Sequence, residues 1–349
     1  MPQGMINRND FRTQLPPVLT VRPKSTFFRD HFMGGSDEYF PTENVEWDKV
    51  LEGAPMARFV GEDLTVEATE RAPFSTDEIK TPIMQERRII GAKDINKRTA
   101  GENIFSPKTD AQRAAELHAS DLQFCLDSID NRIEVMVSQF MTTGRIDIVG
   151  LGVNRMIDYM IPNIEVLTGG DRFGQVGGVN ILDFMRRKVD ELSDLGFTVD
   201  EVIMSPEVWS VMYRDDLIMK LLDISRYEFG FFAPEKEVSK YGAARRVGVL
   251  TDPFVPLYTQ RAEYGPKGNR RRYLPAGMML FVTQEARQNK LGYGAVTYMD
   301  ESENWRTVSG RYVQQFFKER RPPREETLVT SRAVPLPANT ESWSVAQVL

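Results

Sequence analysis

The sequence contains one cysteine and only two histidines in 349 residues. A single thiol cannot form an internal disulfide or a thiolate zinc cluster. Cys125 lies between Phe124 and Leu126, and we interpret it as a packing residue and not as a nucleophile. His31 and His118 have no partner at ligand spacing, which argues against a zinc site and against a Ser-His-Asp relay. The sequence therefore predicts no catalytic, cofactor-binding or metal-binding residues.

Long apolar runs and a surplus of basic charge are also missing. No apolar run approaches the roughly 18 residues that a membrane-spanning helix needs. The first thirty residues mix charges with prolines and lack the apolar core of a signal peptide. With 44 basic and 50 acidic residues the net charge is −6, so net charge does not favour nucleic-acid binding. These features predict a globular chain that works in the cytosol or in an assembly formed there, without a membrane.

Proline and glycine are absent from the window between Lys108 and Thr143, although the chain has 20 prolines and 25 glycines. Thr109 and Gln112 form a capping-box pattern at its start, and Gly144 supplies a stop. The window therefore predicts one helix over 109–143, about 50 Å long at 1.5 Å per residue. By itself, such a helix suits a coiled coil or a bundle.

One face of this predicted helix is apolar. Apolar residues recur at alternating steps of four and three, and they are Ala115, Ala119, Leu122, Leu126, Ile129, Ile133, Met136 and Phe140. The acidic residues are expected off this stripe, and they are Glu116, Asp121, Asp127, Asp130 and Glu134. The spacing thus predicts a single buried stripe with the acids outside it.

The segments before the helix predict an arm and a hairpin. Residues 1–35 are polar and proline-containing, and they include one apolar cluster, formed by Phe27, Phe28 and Phe32. Residues 36–90 contain short β-prone pieces, such as 57–60 and 64–67, interrupted by glycine and proline. Neither segment has enough large apolar residues for a core of its own. We therefore expect the arm to lie on another surface and the hairpin to lie on a neighbouring chain.

The segments after the helix predict a mixed lobe followed by strands. Strands are predicted at 145–149 and 155–161, and a loop over 169–178 contains five glycines. That loop lacks both phosphate-binding glycine patterns, so no nucleotide site is predicted. Asn180 caps a second predicted helix, a strand follows at 199–204, and Ser205 with Pro206 starts another helix. The later segments are predicted mostly as strands, for example 278–282, 295–298 and 311–317.

Few charged groups suggest chemistry. The adjacent acids are interpreted as solvated surface charge, and they are Asp37-Glu38, Asp215-Asp216 and Glu325-Glu326. The basic clusters are interpreted as ion pairs between copies of the chain, and they are Arg270-Arg271-Arg272 and Arg320-Arg321 with Arg324. Asp77 to Lys80, with Asp63 upstream, resembles the end of a nuclease signature. A nuclease is therefore kept as a weak alternative.

The order of an arm, a long hairpin, a spine helix, an α+β lobe and closing strands resembles the major capsid proteins of bacteriophage lambda and its relatives. This is the phage major capsid protein E family, with the Hong Kong 97-like fold. The resemblance runs over nearly the whole chain. It rests on Phe27-Phe28-Arg29, Lys240-Tyr241-Gly242 before Val247-Gly248-Val249, Tyr273-Leu274-Pro275 through Met279, Thr283-Gln284, Ala286-Arg287, Tyr293-Gly294, and Ser331 through Leu336.

This resemblance implies an α+β chain with five parts. They are an N-terminal arm (1–35), an extended loop (36–90), a peripheral domain (91–178) with the spine helix (109–143), an axial domain (179–263), and closing strands of the peripheral domain (264–349). The implied function is structural and not enzymatic. The chain would self-assemble into the icosahedral head of a tailed phage and enclose double-stranded DNA without reading its sequence. A tail-tube or other ring-forming phage protein is the second alternative.

The resemblance also implies partners. The chain would form hexamers and pentamers and meet a portal protein, first in the host cytoplasm and finally in the virion capsid. No long charged helix precedes the arm, so we expect a separate scaffolding protein. Two ways of locking subunits stay open: a decoration protein at three-fold positions, or isopeptide bonds, for which Lys80 is a candidate. The likeness to lambda favours the decoration protein.

Overall fold

The computed structural model describes residues 25–50, 74–97, 109–175, 177–220, 244–265, 268–299 and 304–349, without the side chains of 48–50 and 74–77. The helices bounded within these residues are α1 (Phe27–Phe32), α2 (Ala92–Asn96), α3 (Asp110–Thr143), α4 (Ile181–Asp194) and α5 (Pro206–Met212). None of the helices in these ranges is both long and apolar enough to cross a membrane.

The strands of the described residues lie before, between and after these helices. They are β1 (Glu38–Tyr39), β2 (Asn44–Val50), β3 (Phe74–Lys80), β4 (Met84–Gly91), β5 (Arg145–Gly150), β6 (Val153–Asp158), β7 (Ile164–Val166), β8 (Val199–Met204), β9 (Ala244–Thr251), β10 (Phe254–Gln260), β11 (Glu263–Tyr264), β12 (Arg271–Arg272), β13 (Met278–Thr283), β14 (Lys290–Tyr293), β15 (Ala295–Met299), β16 (Trp305–Ser309), β17 (Val313–Arg320), β18 (Pro323–Ser331), β19 (Ala333–Leu336) and β20 (Trp343–Gln347).

The long helix α3 forms as the sequence predicts. The Thr109 hydroxyl accepts a hydrogen bond from the backbone N–H of Gln112 at 3.3 Å, and the Gln112 side chain accepts one from the backbone N–H of Thr109 at 2.9 Å. Gly144 ends the helix in the left-handed region, with φ of 65°. Local capping chemistry therefore fixes both ends of α3.

The predicted stripe of α3 is wrong at its start, and at its end burial extends beyond the stripe to most of the helix. Ala115 and Ala119 are exposed, whereas every residue from Ile133 to Thr142 except Gln139 is buried. The first half of the helix packs on β4 and β18, but the second half is enclosed by α1, β5, β19 and β20. Two acids that were predicted to lie off the stripe, Asp121 and Glu134, are consequently buried.

A three-stranded antiparallel sheet, in the order β17-β18-β4, lies against the first half of α3. The Arg88 guanidinium is 3.8 Å from the centre of the Phe124 ring and 3.3 Å from an Asp121 oxygen. His118 contacts Glu325 and Thr327 of β18. Strand β17 covers Val313–Arg320, and so begins and ends later than the predicted 311–317.

A six-stranded mixed sheet, in the order β7-β20-β13-β8-β10-β9, is the largest sheet of the described residues. Helices α4 and α5 pack against it around the buried Phe184, Met185 and Val208. Helix α5 begins at Pro206 as predicted, but Ser205 does not cap it. Instead, the Ser205 hydroxyl accepts a hydrogen bond from the backbone N–H of Gly277 at 3.0 Å.

Strands β2 and β3 form an antiparallel hairpin, from the pair Asn44 and Lys80 to the pair Val50 and Phe74. The β-prone pieces at 57–60 and 64–67 lie outside the described residues. Within the same predicted segment, β1 pairs with β14, and β4 pairs with β18. The segment 36–90 thus supplies a hairpin and one strand to each of two other sheets, while the predicted domain boundaries stay a prediction.

Candidate functional site

Helix α1 is held in a pocket of buried aromatic and acidic groups, which we call the arm anchor (α1 with Glu134, Asp130 and Glu201). The rings of Phe27, Phe28 and Phe32 are buried and stack or meet edge to face. The Phe28 and Tyr273 ring centres are 6.4 Å apart. The apolar cluster predicted in the arm, Phe27, Phe28 and Phe32, is therefore packed within the same chain, beside the spine helix.

Glu134 of α3 caps α1 from outside. The backbone N–H groups of Phe28 and Arg29 each donate a hydrogen bond to a Glu134 carboxyl oxygen at 2.8 Å. These groups belong to the first turn of α1, where no partner within the helix exists. Thr26, at the N-cap position, makes no side-chain hydrogen bond to the helix. The carboxyl group of Glu134 therefore replaces the usual local cap.

Burial dominates the protonation of Glu134. Loss of solvent raises its pKa from 4.5 to about 7, although the hydrogen bonds from Arg29 and Phe28 and the charge of Arg29 act in the opposite direction. Between these two values the folded chain holds a proton that the unfolded chain releases. The stabilising contribution is complete below pH 4.5 and is lost as pH rises through about 7.

We therefore expect the arm anchor to loosen as pH rises from 4.5 to about 7. The amides of Phe28 and Arg29 should exchange hydrogen faster at pH 7 than at pH 5 after correction for the intrinsic rate, as measured by exchange mass spectrometry. Glu134→Gln should remove most of this pH dependence. If the dependence survives in that variant, Glu134 is not its source.

Asp130 lies one turn before Glu134 and gathers three partners. The Arg29 guanidinium is 3.2 Å from an Asp130 oxygen, and the Arg311 guanidinium is 3.4 Å from the same oxygen. The Tyr312 hydroxyl also donates to Asp130. Burial, with this hydrogen bond, raises the pKa of Tyr312 to about 12. Asp130 therefore joins α1 to the segment that leads into β17.

His31 links α1 to the six-stranded sheet. Its Nε2 atom contacts a carboxyl oxygen of Glu201 in β8, and the Arg287 guanidinium lies 3.2 Å from the same carboxyl group. Glu201 is buried, so the side chains of His31 and Arg287 contact its carboxyl group in place of water. The arm anchor thus connects the spine helix with the α+β lobe.

The foot of the β2–β3 hairpin is tied to the body, and we call it the hairpin base (Glu43, Thr81 and Arg332). The Thr81 hydroxyl donates to the Glu43 carbonyl oxygen at 2.7 Å, and the buried Arg332 is 3.1 Å from the Glu43 carboxyl group. Hydrogen bonding to Arg332 lowers the pKa of Glu43. Arg155 also donates to the carbonyl oxygen of Lys80. These contacts fix the direction in which the hairpin leaves the body.

The candidate nuclease residues lie only partly within the described part of the chain. Asp63 and the side chain of Asp77 lie outside the described residues. The Lys80 amine is 3.5 Å from Glu43, and its side chain is largely exposed. In the described ranges, no three histidine, cysteine, aspartate or glutamate side chains are grouped to hold a metal ion.

Several of the other candidates have partners within the chain. Cys125 is buried, and burial raises the pKa of its thiol, as expected of a packing residue. The adjacent acids and the basic clusters form several ion pairs: Glu38 with Lys290, Glu325 with His118 and Lys318, Glu326 with Arg87 and Arg324, Arg270 with Glu263, Arg272 with Glu207, and Arg324 with Glu319. In the glycine-rich loop, the buried Phe173 packs against Phe184 at 5.3 Å.

Glu134 is the functional residue that the sequence pattern missed. A signal is present, because Glu134 lies in the run Ile133 to Met141, where apolar residues occur on every side of the helix. A helix that is apolar all round is buried. An acid inside such a run must therefore find buried hydrogen-bond donors.

One family model matches the chain over residues 12–348, and its description is Phage major capsid protein E. The match includes the arm anchor, the hairpin base and every strand given above. Among curated proteins, none matches the chain significantly.

Solved structures give the same picture of the fold. A prophage protein of Escherichia coli CFT073, assigned as a capsid protein, is 19% identical with a TM-score of 0.63, covering 93% of this chain and 94% of its own. The SrpI encapsulin of Synechococcus elongatus PCC 7942 is 11% identical with a TM-score of 0.52, covering 100% and 96%. The capsid of Myoviridae phage XM1 is 10% identical with a TM-score of 0.50, covering 100% of both chains.

Proposed function

Because this chain belongs to the phage major capsid protein E family and is a head protein of a tailed phage, we propose that its hexamers and pentamers close into an icosahedral shell around double-stranded DNA. The predicted α+β Hong Kong 97-like fold and the predicted head function are confirmed. The observation that carries the proposal is the family match, which spans nearly the whole chain. We further propose that the protein has no enzymatic activity.

The hairpin and the arm are the proposed contacts between subunits. The hairpin base holds β2 and β3 at one end, and in the described residues these two strands pair only with each other. A two-stranded hairpin is at best marginally stable in water unless another surface covers it. We propose that the extended loop (36–90) lies on an adjacent subunit, and that the axial domain (179–263) surrounds the five-fold and six-fold positions.

Further partners follow from the role of a head protein. We propose that the chain uses a separate scaffolding protein, a portal protein at one vertex and a decoration protein at three-fold positions. Assembly would take place in the host cytoplasm, and the final location is the virion capsid. Enclosure of DNA without sequence reading agrees with the net charge of −6.

The test is negative-stain electron microscopy of the chain coexpressed with its neighbouring phage genes. Closed shells of uniform diameter are the expected result. Tubes would favour the ring-forming alternative and contradict the shell. A soluble monomer at high concentration, with the matching scaffolding protein present, would also contradict it. DNA cleavage by the purified chain that Lys80→Ala abolishes would revive the nuclease.

A further inference from the structure

Strand β17 is an open edge of the sheet that covers the spine helix. It is the first strand in the order β17-β18-β4, and it pairs with β18 without a break from Val313 to Arg320. In the described part of the chain, no strand pairs with its other edge. Alternate backbone N–H and C=O groups of an edge strand are free to pair with another chain.

The first half of β17 has none of the usual protections of an edge. From Val313 to Phe317 the sequence is Val-Gln-Gln-Phe-Phe, without charge, proline or glycine. Phe316 and Phe317 are 43% and 42% exposed. By contrast, β9, at the edge of the six-stranded sheet, has exposed Arg245 and Arg246. A β-prone, uncharged and exposed edge invites strand pairing, so its exposure indicates a partner strand in the assembly.

The charged residues of β17 favour one of the two ways in which β17 strands from two copies could pair. Its second half is Lys318-Glu319-Arg320. A parallel, in-register pair would place each of these charges opposite its own copy, which destabilises a sheet. An antiparallel pair centred on Phe317 places the two Phe317 rings side by side, Phe316 opposite Lys318, and Gln315 opposite Glu319. No like charges then face each other.

In this register, the faces of the two sheets that cover α3 also lie on the same side of the joined sheet. Opposite residues of an antiparallel pair point to the same face, and in a pair centred on Phe317 every residue faces one that lies an even number of positions away in sequence. The face of each sheet that covers α3 is therefore continuous across the joint. Such an arrangement has two-fold symmetry, in which one patch serves both partners.

We propose that β17 of one subunit pairs antiparallel with β17 of a second copy around a two-fold axis at Phe317, joining two three-stranded sheets into one of six strands. The interface rests on the proposed shell, because it names a contact between the copies that form it. Backbone hydrogen bonds supply the attraction, and the side-chain register supplies the specificity.

A disulfide across the axis tests this pairing. In a Cys125→Ser background, so that no other thiol is present, we would introduce Phe317→Cys and oxidise the assembled particles. Residues directly opposite in a sheet are close enough for a disulfide. The expected result is a shift of the chain from monomer to disulfide-linked dimer on a non-reducing gel. Phe254→Cys, which is 71% exposed on the β9–β10 hairpin, is the matched control and should stay monomeric.

A second variant keeps both phenylalanines. In Gln315→Cys with Glu319→Cys, each new thiol faces the other position of the second copy, whereas the two thiols of one chain are four positions apart and too distant to bond. Dimers are again expected. Closed shells in which neither variant forms the dimer would overturn the β17 pairing and leave the proposed function standing. If the unaltered chain forms no shells, the proposed function fails instead.

Discussion

Replacing Glu134 with alanine is expected to detach helix α1 and to lower the free energy of unfolding by about 2–6 kcal/mol, since each of the two buried donors left unpaired costs about 1–3 kcal/mol. The backbone N–H groups of Phe28 and Arg29 would lose their acceptor inside the protein. Arg29 would also keep only Asp130 and Asp30 as acidic partners. Urea unfolding of the full chain gives the energy, and limited proteolysis shows whether the arm is released.

Asn131→Ala is the matched control, because Asn131 is exposed on the same helix, three residues before Glu134. It should change the free energy of unfolding by less than about 0.5 kcal/mol, as is usual for surface positions. Glu134→Gln should fall between the two, since its amide oxygen accepts one hydrogen bond but its NH₂ group cannot accept the second. An alanine variant as stable and as protease-resistant as the original chain would show that Glu134 does not hold the arm.

The second large effect is expected for Phe140→Ala, which should cost about 3–5 kcal/mol of unfolding free energy. Phe140 is fully buried near the end of α3, with its ring centre 4.8 Å from that of Tyr159 and 5.4 Å from that of Trp343. Trp343 belongs to β20 of the six-stranded sheet. The cavity would therefore open where the spine helix meets the lobe. Urea unfolding measures the loss.

Phe124→Ala provides the control for the same substitution on the same helix. Phe124 is 45% exposed and contacts the Arg88 guanidinium, so its removal leaves no enclosed cavity. We expect a loss of about 1 kcal/mol or less, the size of an exposed cation–π contact. Equal losses for the two variants would contradict the assignment of the core to the second half of α3.

Helix α3 was predictable because its signals are local. The capping box at Thr109, the stop at Gly144 and the absence of proline and glycine between them act within a few residues of each helix end. The Asn180 cap of α4 and the start of α5 at Pro206 were predictable for the same reason. The predicted capping role of Ser205 was wrong, because its hydroxyl accepts a hydrogen bond from the distant Gly277 and not from the first turn of α5.

The arm anchor was not predictable, because its contacts join residues that are far apart in sequence. Glu134 and Phe28 are separated by 106 positions, and His31 and Glu201 by 170. Periodicity places Glu134 off the apolar stripe, and only the enclosure of α3 by α1, β5, β19 and β20 makes it buried. The order of the six-stranded sheet is equally non-local, since it joins β7, β13 and β20 to strands between 199 and 260.

The arm anchor connects α1 to both the spine helix and the lobe. Three acids hold α1: Glu134 and Asp130 from the spine helix and Glu201 from the lobe. Any movement of the spine helix against the lobe would have to break one of these contacts. The position of the arm therefore reports the relative position of the two parts within a subunit of the shell.

A cryo-electron microscopy reconstruction of particles assembled from the unaltered protein tests most directly whether this chain builds a closed icosahedral shell. We predict icosahedral symmetry, pentamers and hexamers of one chain, helix α1 seated on Glu134, and the β2–β3 hairpin lying on an adjacent subunit. Particles with helical symmetry, or a hairpin that folds back on its own subunit throughout the particle, would contradict the account.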